Sequence, residues 1–150
     1  MADEHPRWVL ALDLSGPDLD DLVDQAASWA VPAGARVALL YAAGVRYDPG
    51  IFADPGARKV ISRENDLLHQ RHVAALEALA LRLPEAVRAP VIVAPTAATA
   101  ALVEASENAD TLLIGTHPRR GLAQMWLGSV AEHAVRRARC AVLVLRVRPR

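Results

Sequence analysis

The sequence predicts an α/β fold, in which one parallel sheet of five strands is covered by helices on both faces. Short apolar runs alternate along the chain with segments whose apolar residues recur every three or four positions, which is typical of a strand–helix repeat. The apolar runs are continuous rather than alternating, as in strands that are buried on both faces. A length of 150 residues fits a single domain, 1–150, with a core of ordinary size.

Five strands and four helices are predicted in order along the chain. The strands are placed at 8–12, 36–42, 90–94, 111–114 and 141–147. The helices are placed from about Pro17 to 33, at 59–83, up to residue 108, and at 129–138. Residues 44–58 are rich in proline and glycine and are expected to form the longest loop. The expected helix caps are Ser15 or Gly16 for the first helix, Thr96 or Thr99 for the third and Ser129 for the last.

Composition excludes several classes of protein. A formal net charge of +0 and 53% hydrophobic residues argue against a disordered chain and against a strongly basic nucleic-acid binder. Lys59 is the only lysine, so the chain has no Walker-type phosphate loop. Cys140 is the only cysteine, which excludes an internal disulfide and predicts a buried packing residue. Asp3 and Glu4 precede the first apolar run, and no run is long enough to span a bilayer, so we expect a cytoplasmic protein without membrane partners.

The stretch between the fourth strand and the last helix predicts an anion site. The strand leads to Gly115, a dozen residues follow, and Gly128 and Ser129 open the helix. Ser129 and Glu132 have the spacing of a capping box. A helix N-terminus that follows a glycine-bearing loop presents unpaired N–H groups and a positive dipole end to an anion. The alternative is a capping box that binds nothing.

The same stretch resembles the universal stress protein family, whose signature is glycine, two residues, glycine, nine residues, then glycine and serine or threonine. The matching positions are Gly115, Gly128 and Ser129, with matching flanks at 121–122 and 138–145. Pro118 stands where the family has its second glycine. The resemblance extends over residues 9–147 and implies a doubly wound, flavodoxin-like or Rossmann-like sheet, of the kind also found in adenine nucleotide alpha-hydrolases.

The resemblance also implies a nucleotide site at the carboxyl ends of the strands, where open parallel sheets bind their ligands. In ATP-binding members, the position of Asp13 lies at the nucleoside end, that of Ala42 meets adenine through its backbone, and the glycine–serine pair meets phosphates. The residues expected to line the site are Asp13, Leu14, Ser15, Ala42, Gly115, Thr116, His117, Arg119, Arg120, Gly128, Ser129 and Val130. The alternatives are a solvated strand-end carboxylate for Asp13 and a residue that bonds only the backbone for Thr116.

Pro118 leaves two functions open. Proline has no N–H and cannot adopt a positive φ, so one backbone donor to phosphate is lost. Arg119 and Arg120 are either bidentate phosphate donors that replace it or solvated surface residues. In the first case the chain binds an adenine nucleotide (ATP, ADP or AMP, with Mg²⁺ as a candidate companion) as a regulatory ligand in stress response. In the second case the pocket is vestigial, and the protein acts through dimerisation and contacts with unknown protein partners.

Catalytic turnover is not expected beyond slow nucleotide hydrolysis, because no set of residues supplies a base, a nucleophile and a metal cluster together. His69 and His72 have a spacing that could hold a metal ion, but no third ligand is evident in the sequence. His72 also lies among apolar residues of its helix. A half-buried, hydrogen-bonded histidine is therefore the expected state, and no metal site is predicted.

The last strand is expected to lie at an edge of the sheet and to form a homodimer. Its run from Ala141 to Val147 is long and apolar, and an exposed edge of this kind normally finds a partner. Family members of this type pair their last strands antiparallel across a two-fold axis, and the resemblance implies the same arrangement here.

Overall fold

The computed structural model describes residues 5–46, 48, 50, 53–116 and 128–147. Within them, five strands alternate with four helices, so the α/β fold class is confirmed. The strands are β1 (Arg7–Ala11), β2 (Arg36–Ala42), β3 (Ile92–Ala94), β4 (Thr111–Thr116) and β5 (Ala141–Arg146). The helices are α1 (Leu19–Ala33), α2 (Pro55–Ala80), α3 (Ala98–Ser106) and α4 (Ser129–Arg137), with a short 3₁₀ turn at Glu85–Val87. None of the described helices combines the length and the apolar character needed to cross a membrane.

All strand pairs are parallel, and the strand order is β3-β2-β1-β4-β5. β1 is central, and its Leu10 stands opposite Leu39 of β2 on one side and Leu113 of β4 on the other. The chain builds outward from β1 to β3 and then crosses to β4, as in a doubly wound sheet. Helices α1 and α4 therefore leave the carboxyl ends of β1 and β4 toward opposite faces. Such a switch point is where open parallel sheets bind their ligands.

Successive residues of each strand contribute to two apolar cores on opposite faces of the sheet. Leu10 and Leu113 pack on one face with residues of α1 and α2. Val9 and Leu112 pack on the other face with residues of α3 and α4. Full burial of such a side chain contributes roughly 1.5–3 kcal/mol to stability. Because both faces are covered, the strands are continuous apolar runs in the sequence.

Helix α1 begins at Leu19, with Asp18 at the cap position in the left-handed conformation (φ 62°). The predicted caps, Ser15 and Gly16, are wrong because both residues belong to a turn that ends β1. The Ser15 hydroxyl and amide donate to Oδ1 of Asp13 at 2.7 and 3.0 Å. The Gly16 amide donates to the carbonyl oxygen of Asp13 at 2.8 Å. The helix can start only after this turn.

Helix α2 begins at Pro55 and ends at Ala80, so the predicted range of 59–83 is displaced. The Asp54 carboxylate caps it, because Oδ1 accepts from the amides of Gly56 and Ala57 at 2.8 and 3.1 Å. Pro55 stands at the first helical turn, where a missing N–H costs nothing. The predicted loop over 44–58 is therefore wrong at its C-terminal end, and the Asp-Pro pair was the overlooked sequence signal.

Helix α4 begins at Ser129, as predicted, but the capping box does not form. The Glu132 amide donates to the carbonyl oxygen of Gly128 at 2.9 Å, which makes Gly128 the cap residue and Ser129 the first helical residue. Among the described residues, no side chain caps this helix. The Glu132 carboxylate points along the helix to Arg136, at 3.0 Å, rather than back to the N-terminus.

Helix α3 and the ends of the neighbouring strands also differ from expectation. α3 begins after Ala97 without a side-chain cap, so neither Thr96 nor Thr99 has the predicted role. β4 continues through Thr116, beyond the predicted end at 114, because Thr116 still pairs with Arg146 of β5. The shorter β3 starts at Ile92 rather than at residue 90.

Replacement of Ser129 by alanine is expected to leave the free energy of unfolding unchanged within about 0.5 kcal/mol, as at an exposed helical position. A true cap would cost about 0.5–2 kcal/mol. Urea unfolding followed by circular dichroism measures the difference. Asp54→Ala removes the side-chain cap of α2 and serves as the matched positive control. A loss in Ser129→Ala as large as in Asp54→Ala would show that the capping box forms in solution.

Replacement of Gly115 by alanine is expected to destabilise the protein by about 1–3 kcal/mol through overpacking. The added Cβ would lie 2.7 and 2.8 Å from the two Cδ atoms of Leu22, which is only 3% exposed. Gly128→Ala is the control, because no described atom lies within 4 Å of its Cβ and its φ is −59°. Equal urea midpoints for the two variants would contradict the packing role of Gly115.

Candidate functional site

A cleft of about 910 Å³ opens at the carboxyl ends of β1, β2 and β4, between the starts of α3 and α4. Its volume lies within the range of small-molecule sites, roughly 300–1,000 Å³. The floor is formed by residues at the ends of the three strands, such as Ala11, Ala42 and Ile114. The cleft therefore occupies the switch point of the sheet, where a ligand was expected.

Most of the residues predicted from the sequence meet around this cleft. Those that line it are Asp13, Ala42, Gly115, Thr116, Gly128, Ser129 and Val130. Leu14 and Ser15 do not line it, and Leu14 packs against the core under α1 and α2. His117, Arg119 and Arg120, together with Pro118, lie outside the described residues.

Asp13 lies just past the end of β1, with its exposed side chain at the rim of the cleft. Its Oδ1 accepts two hydrogen bonds from Ser15, one from the hydroxyl at 2.7 Å and one from the amide at 3.0 Å. Such a turn fixes the orientation of the carboxylate. Ser15 therefore acts on the cleft through Asp13, a role that the sequence analysis did not foresee.

Gly115 and Thr116, at the end of β4, both stabilise the fold, one by packing and the other by hydrogen bonds to the backbone. Gly115 makes room for the side chain of Leu22. Its φ is not positive, so the backbone conformation does not require a glycine there. Thr116 is 6% exposed, and its hydroxyl lies 3.5 Å from the carbonyl oxygen of Leu145. Its own carbonyl oxygen accepts from the amide of Val147 at 3.1 Å. Thr116 thus bonds the backbone of β5 and its extension and also lines the cleft.

The start of α4 presents backbone donors to the cleft. The first intrahelical hydrogen bond comes from Glu132, so the amides of Ser129, Val130 and Ala131 have no helical acceptor. All three residues line the cleft, and no side chain in the described part of the chain caps the helix. Gly128 before them leaves open space where a Cβ would project. Together with the positive end of the helix dipole, this arrangement suits an anion.

Small apolar side chains form much of the remaining lining. They come from the strand ends and from the start of α3, and they are Ala11, Leu40, Ala42, Ala98, Ala101, Leu102 and Ile114. A flat aromatic ring gains burial against such a surface. The described part of the cleft thus combines an apolar wall with unpaired backbone donors and a carboxylate.

Tyr41 and Glu132 line the cleft although the sequence analysis singled out neither as a site residue. Tyr41 directly precedes Ala42 in β2, so the strand end already pointed to it. Glu132 lies on the same side of α4 as Ser129, but the sequence analysis assigned it only to the capping box and not to the site. Both Asp13 and Glu132 thus line the cleft, although the Glu132 carboxylate is paired with Arg136 at 3.0 Å.

The histidines of α2 do not form a metal site with other described residues, since no group of three or more potential ligands occurs among them. His72 is half-buried, as predicted, and its Nδ1 is buried without a hydrogen-bond partner among the described residues. Its ring instead meets the ring of Tyr41 edge to face, with centroids 4.7 Å apart and planes at 60°.

Cys140 stands at the start of β5 and is partly buried. Burial raises the pKa of its thiol above the ordinary value, and the charge of Asp110 acts in the same direction, against the hydrogen bond of Leu112. A higher pKa keeps the thiol protonated and therefore unreactive at neutral pH. This state agrees with the packing role expected from the sequence.

Comparison with known proteins gives one consistent family. The model of the universal stress protein family matches residues 6–146. A solved universal stress protein in complex with cAMP is 24% identical, with a TM-score of 0.55 over 95% of this chain and 97% of that chain. A second, from Lactobacillus plantarum, is 17% identical, with a TM-score of 0.66 over 95% and 98%. A third, from Archaeoglobus fulgidus in complex with dAMP, is 16% identical, with a TM-score of 0.54 over 93% and 97%. No curated protein matches the sequence.

At these identities the solved structures demonstrate a shared fold, and the family match extends over nearly the whole sequence. The chain belongs to the universal stress protein family.

Proposed function

We propose that the protein binds an adenine nucleotide in the cleft as a regulatory ligand in stress response, without catalytic turnover. The observation that carries this proposal is the start of α4, where three amides without helical acceptors line a cleft that is otherwise largely apolar. A nucleotide has complementary chemistry, with an anionic phosphate at one end and a flat aromatic base at the other.

The phosphate end of the ligand is assigned to Ser129, Val130 and Ala131. Hydrogen bonds from neutral donors to a charged group contribute about 1.5–3 kcal/mol each in favourable cases. Gly128 allows a phosphate to approach these amides, because it has no side chain and no described atom lies within 4 Å of the position that a Cβ would take. The helix dipole adds a further favourable interaction with negative charge.

The nucleoside end is assigned to Asp13, Ala42 and the apolar wall. The Asp13 carboxylate is oriented by Ser15 and can accept hydrogen bonds from ribose hydroxyls. Ala42 ends β2 at the apolar wall, where its backbone can meet the edge of a base. The complexes of related proteins with cAMP and dAMP support an adenine nucleotide as the ligand class.

ATP with Mg²⁺ is the extended form of the proposal. Carboxylate oxygens and phosphates together are the usual ligands of Mg²⁺. Asp13 supplies a carboxylate at the rim of the cleft that would also receive the phosphates. A divalent cation between it and a polyphosphate would offset the repulsion between like charges.

We further propose a homodimer that forms through β5. In the described part of the sheet, β5 pairs only with β4, and its other edge is unpaired. Exposed strand edges of this kind favour pairing with another strand. An antiparallel pair of β5 strands across a two-fold axis would join two sheets into one.

Calorimetric titration with AMP, and with ATP in the presence and absence of Mg²⁺, tests the ligand. We expect binding by the parent protein and a loss of about tenfold or more in Gly128→Ala, because the new Cβ keeps phosphate from the α4 amides. Ser28→Ala, on the exposed side of α1, is the control and should bind like the parent. An absence of heat with all ligands at millimolar concentration would instead favour the vestigial pocket.

Sedimentation velocity tests the dimer. We expect a dimer at micromolar concentration and its dissociation when proline removes an outward-pointing amide of β5. Successive amides of a strand point to opposite edges, so Leu143→Pro and Val144→Pro are prepared as a pair. One of them loses a bond to β4 and the other a bond across the dimer interface. A parent protein that sediments as a monomer would contradict the proposal.

A further inference from the structure

The two flanks of helix α1 face different parts of the molecule. On one flank, Asp24 accepts from Nε of Arg82 at 2.9 Å, and Asp20 lies 3.4 Å from the same guanidinium, just after the end of α2. On the opposite flank, Nε2 of Gln25 donates to the carbonyl oxygen of Arg146, at the end of β5, at 3.0 Å. One flank of α1 therefore faces α2, and the other faces β5.

Trp29 lies on the flank that faces β5, one helical turn after Gln25. α1 connects the carboxyl end of β1 to the amino end of the parallel strand β2, so it runs antiparallel to the strands. Four residues of helix extend over about 6 Å, which corresponds to about two residues of a strand. Trp29 is therefore level with the middle of β5, near Val144. Its side chain is nevertheless 54% exposed.

The surface beside Trp29 is apolar and incompletely covered. On this face of the sheet, α2 packs over β2 and β3, whereas β5 is contacted by α1. Leu143 of β5 belongs to the same face and is only partly buried. In the described sheet, the outer edge of β5 has no strand partner. An apolar strip formed by Trp29 and Leu143 thus continues directly into an unpaired strand edge.

We propose that this strip docks a second copy of the chain, with Trp29 as the main apolar anchor of an interface that extends from β5 onto the α1 face. The inference rests on the proposed homodimer, which it deepens. A two-fold axis that pairs two β5 strands antiparallel is perpendicular to the sheet, so both α1 helices lie on one face of the joined sheet. The helices then border a trough with Leu143 of each copy at its floor. Trp29 and the partner's Trp29 fill this trough close to the axis, because both are level with the middle of the strand.

The size that a stable interface needs favours this extension. β5 has six residues, so its pairing alone provides a short and narrow contact. Specific interfaces bury about 1,200–2,000 Å² in total. Aromatic side chains near the centre of an interface contribute most of the binding energy. Trp29 has such a central place, and its exposed indole supplies apolar area beside the paired strands.

Sedimentation velocity over a dilution series measures the dimer dissociation constant. Trp29→Glu removes the indole and places like charges on both sides of the axis, so we expect the constant to rise about tenfold or more. Trp29→Phe retains an aromatic ring and should lie between this variant and the parent. Val31→Glu is the matched control, because Val31 is 51% exposed on the α2 flank of the same helix, and it should dimerise like the parent. An unchanged constant in Trp29→Glu would overturn the proposal.

A second measurement reports on Trp29 itself. The sequence contains three tryptophans, and in protein labelled with 5-fluorotryptophan the ¹⁹F signal that is missing from Trp29→Phe belongs to Trp29. We expect this signal to shift on dilution with the midpoint found by sedimentation, because the indole passes from the partner to solvent. Circular dichroism confirms that the compared variants are folded. A signal that stays constant while the dimer dissociates would contradict the role of Trp29.

The proline variants of β5 separate this inference from the proposed dimer. If Leu143→Pro or Val144→Pro dissociates the dimer and Trp29→Glu does not, the β5 dimer stands and its extension onto α1 is overturned. If Trp29→Glu dissociates the dimer and neither proline variant does, the α1 surface binds a second copy and the proposed strand pairing is wrong. A parent protein that stays monomeric at the highest concentration overturns both.

Discussion

The pairing of β1 with strands on both sides is the constraint on which the rest of the structure depends. Leu10 stands between Leu39 and Leu113, and all three are fully buried. With β1 central, the helix that follows it leaves toward one face, and the helix that follows β4 leaves toward the other. A gap between them at the carboxyl ends is then unavoidable, and the cleft lies in this gap.

The helix N-termini differ according to whether they border this cleft. α3 and α4 reach it, and neither has a side-chain cap from the described residues. None of the described lining residues belongs to α2, and this helix is capped by the carboxylate of Asp54. A capped α4 would hold its own amides in hydrogen bonds, and an anion would have to compete for them. Without a cap, α4 is less stable on its own, but its first amides remain available to a ligand.

The sequence predicted the strands well, because continuous apolar runs are typical of strands in a covered parallel sheet. The predicted burial holds for β1, β2 and β4, whereas the edge strands β3 and β5 are partly exposed. It predicted the capping residues of the helices poorly. Ser129 and Glu132 have the same spacing whether serine is the cap or the first helical residue, and only the bond from Glu132 to Gly128 distinguishes the two cases. The end of β2 was expected at the site, but only Ala42 of its residues was predicted to line it, whereas Tyr41 also does.

The glycines of the family signature illustrate how one pattern can have several physical causes. Gly115 is required by the packing of Leu22, whereas Gly128 faces open space. Gly115 is therefore needed for the fold, whereas Gly128 leaves access to the cleft. Pro118 lies between them in sequence and removes one backbone donor, but the amides of Ser129, Val130 and Ala131 follow it on α4 and do not depend on it. A site that uses these three donors can lose one loop donor and still bind phosphate, which is why the proposed function is built on the start of α4.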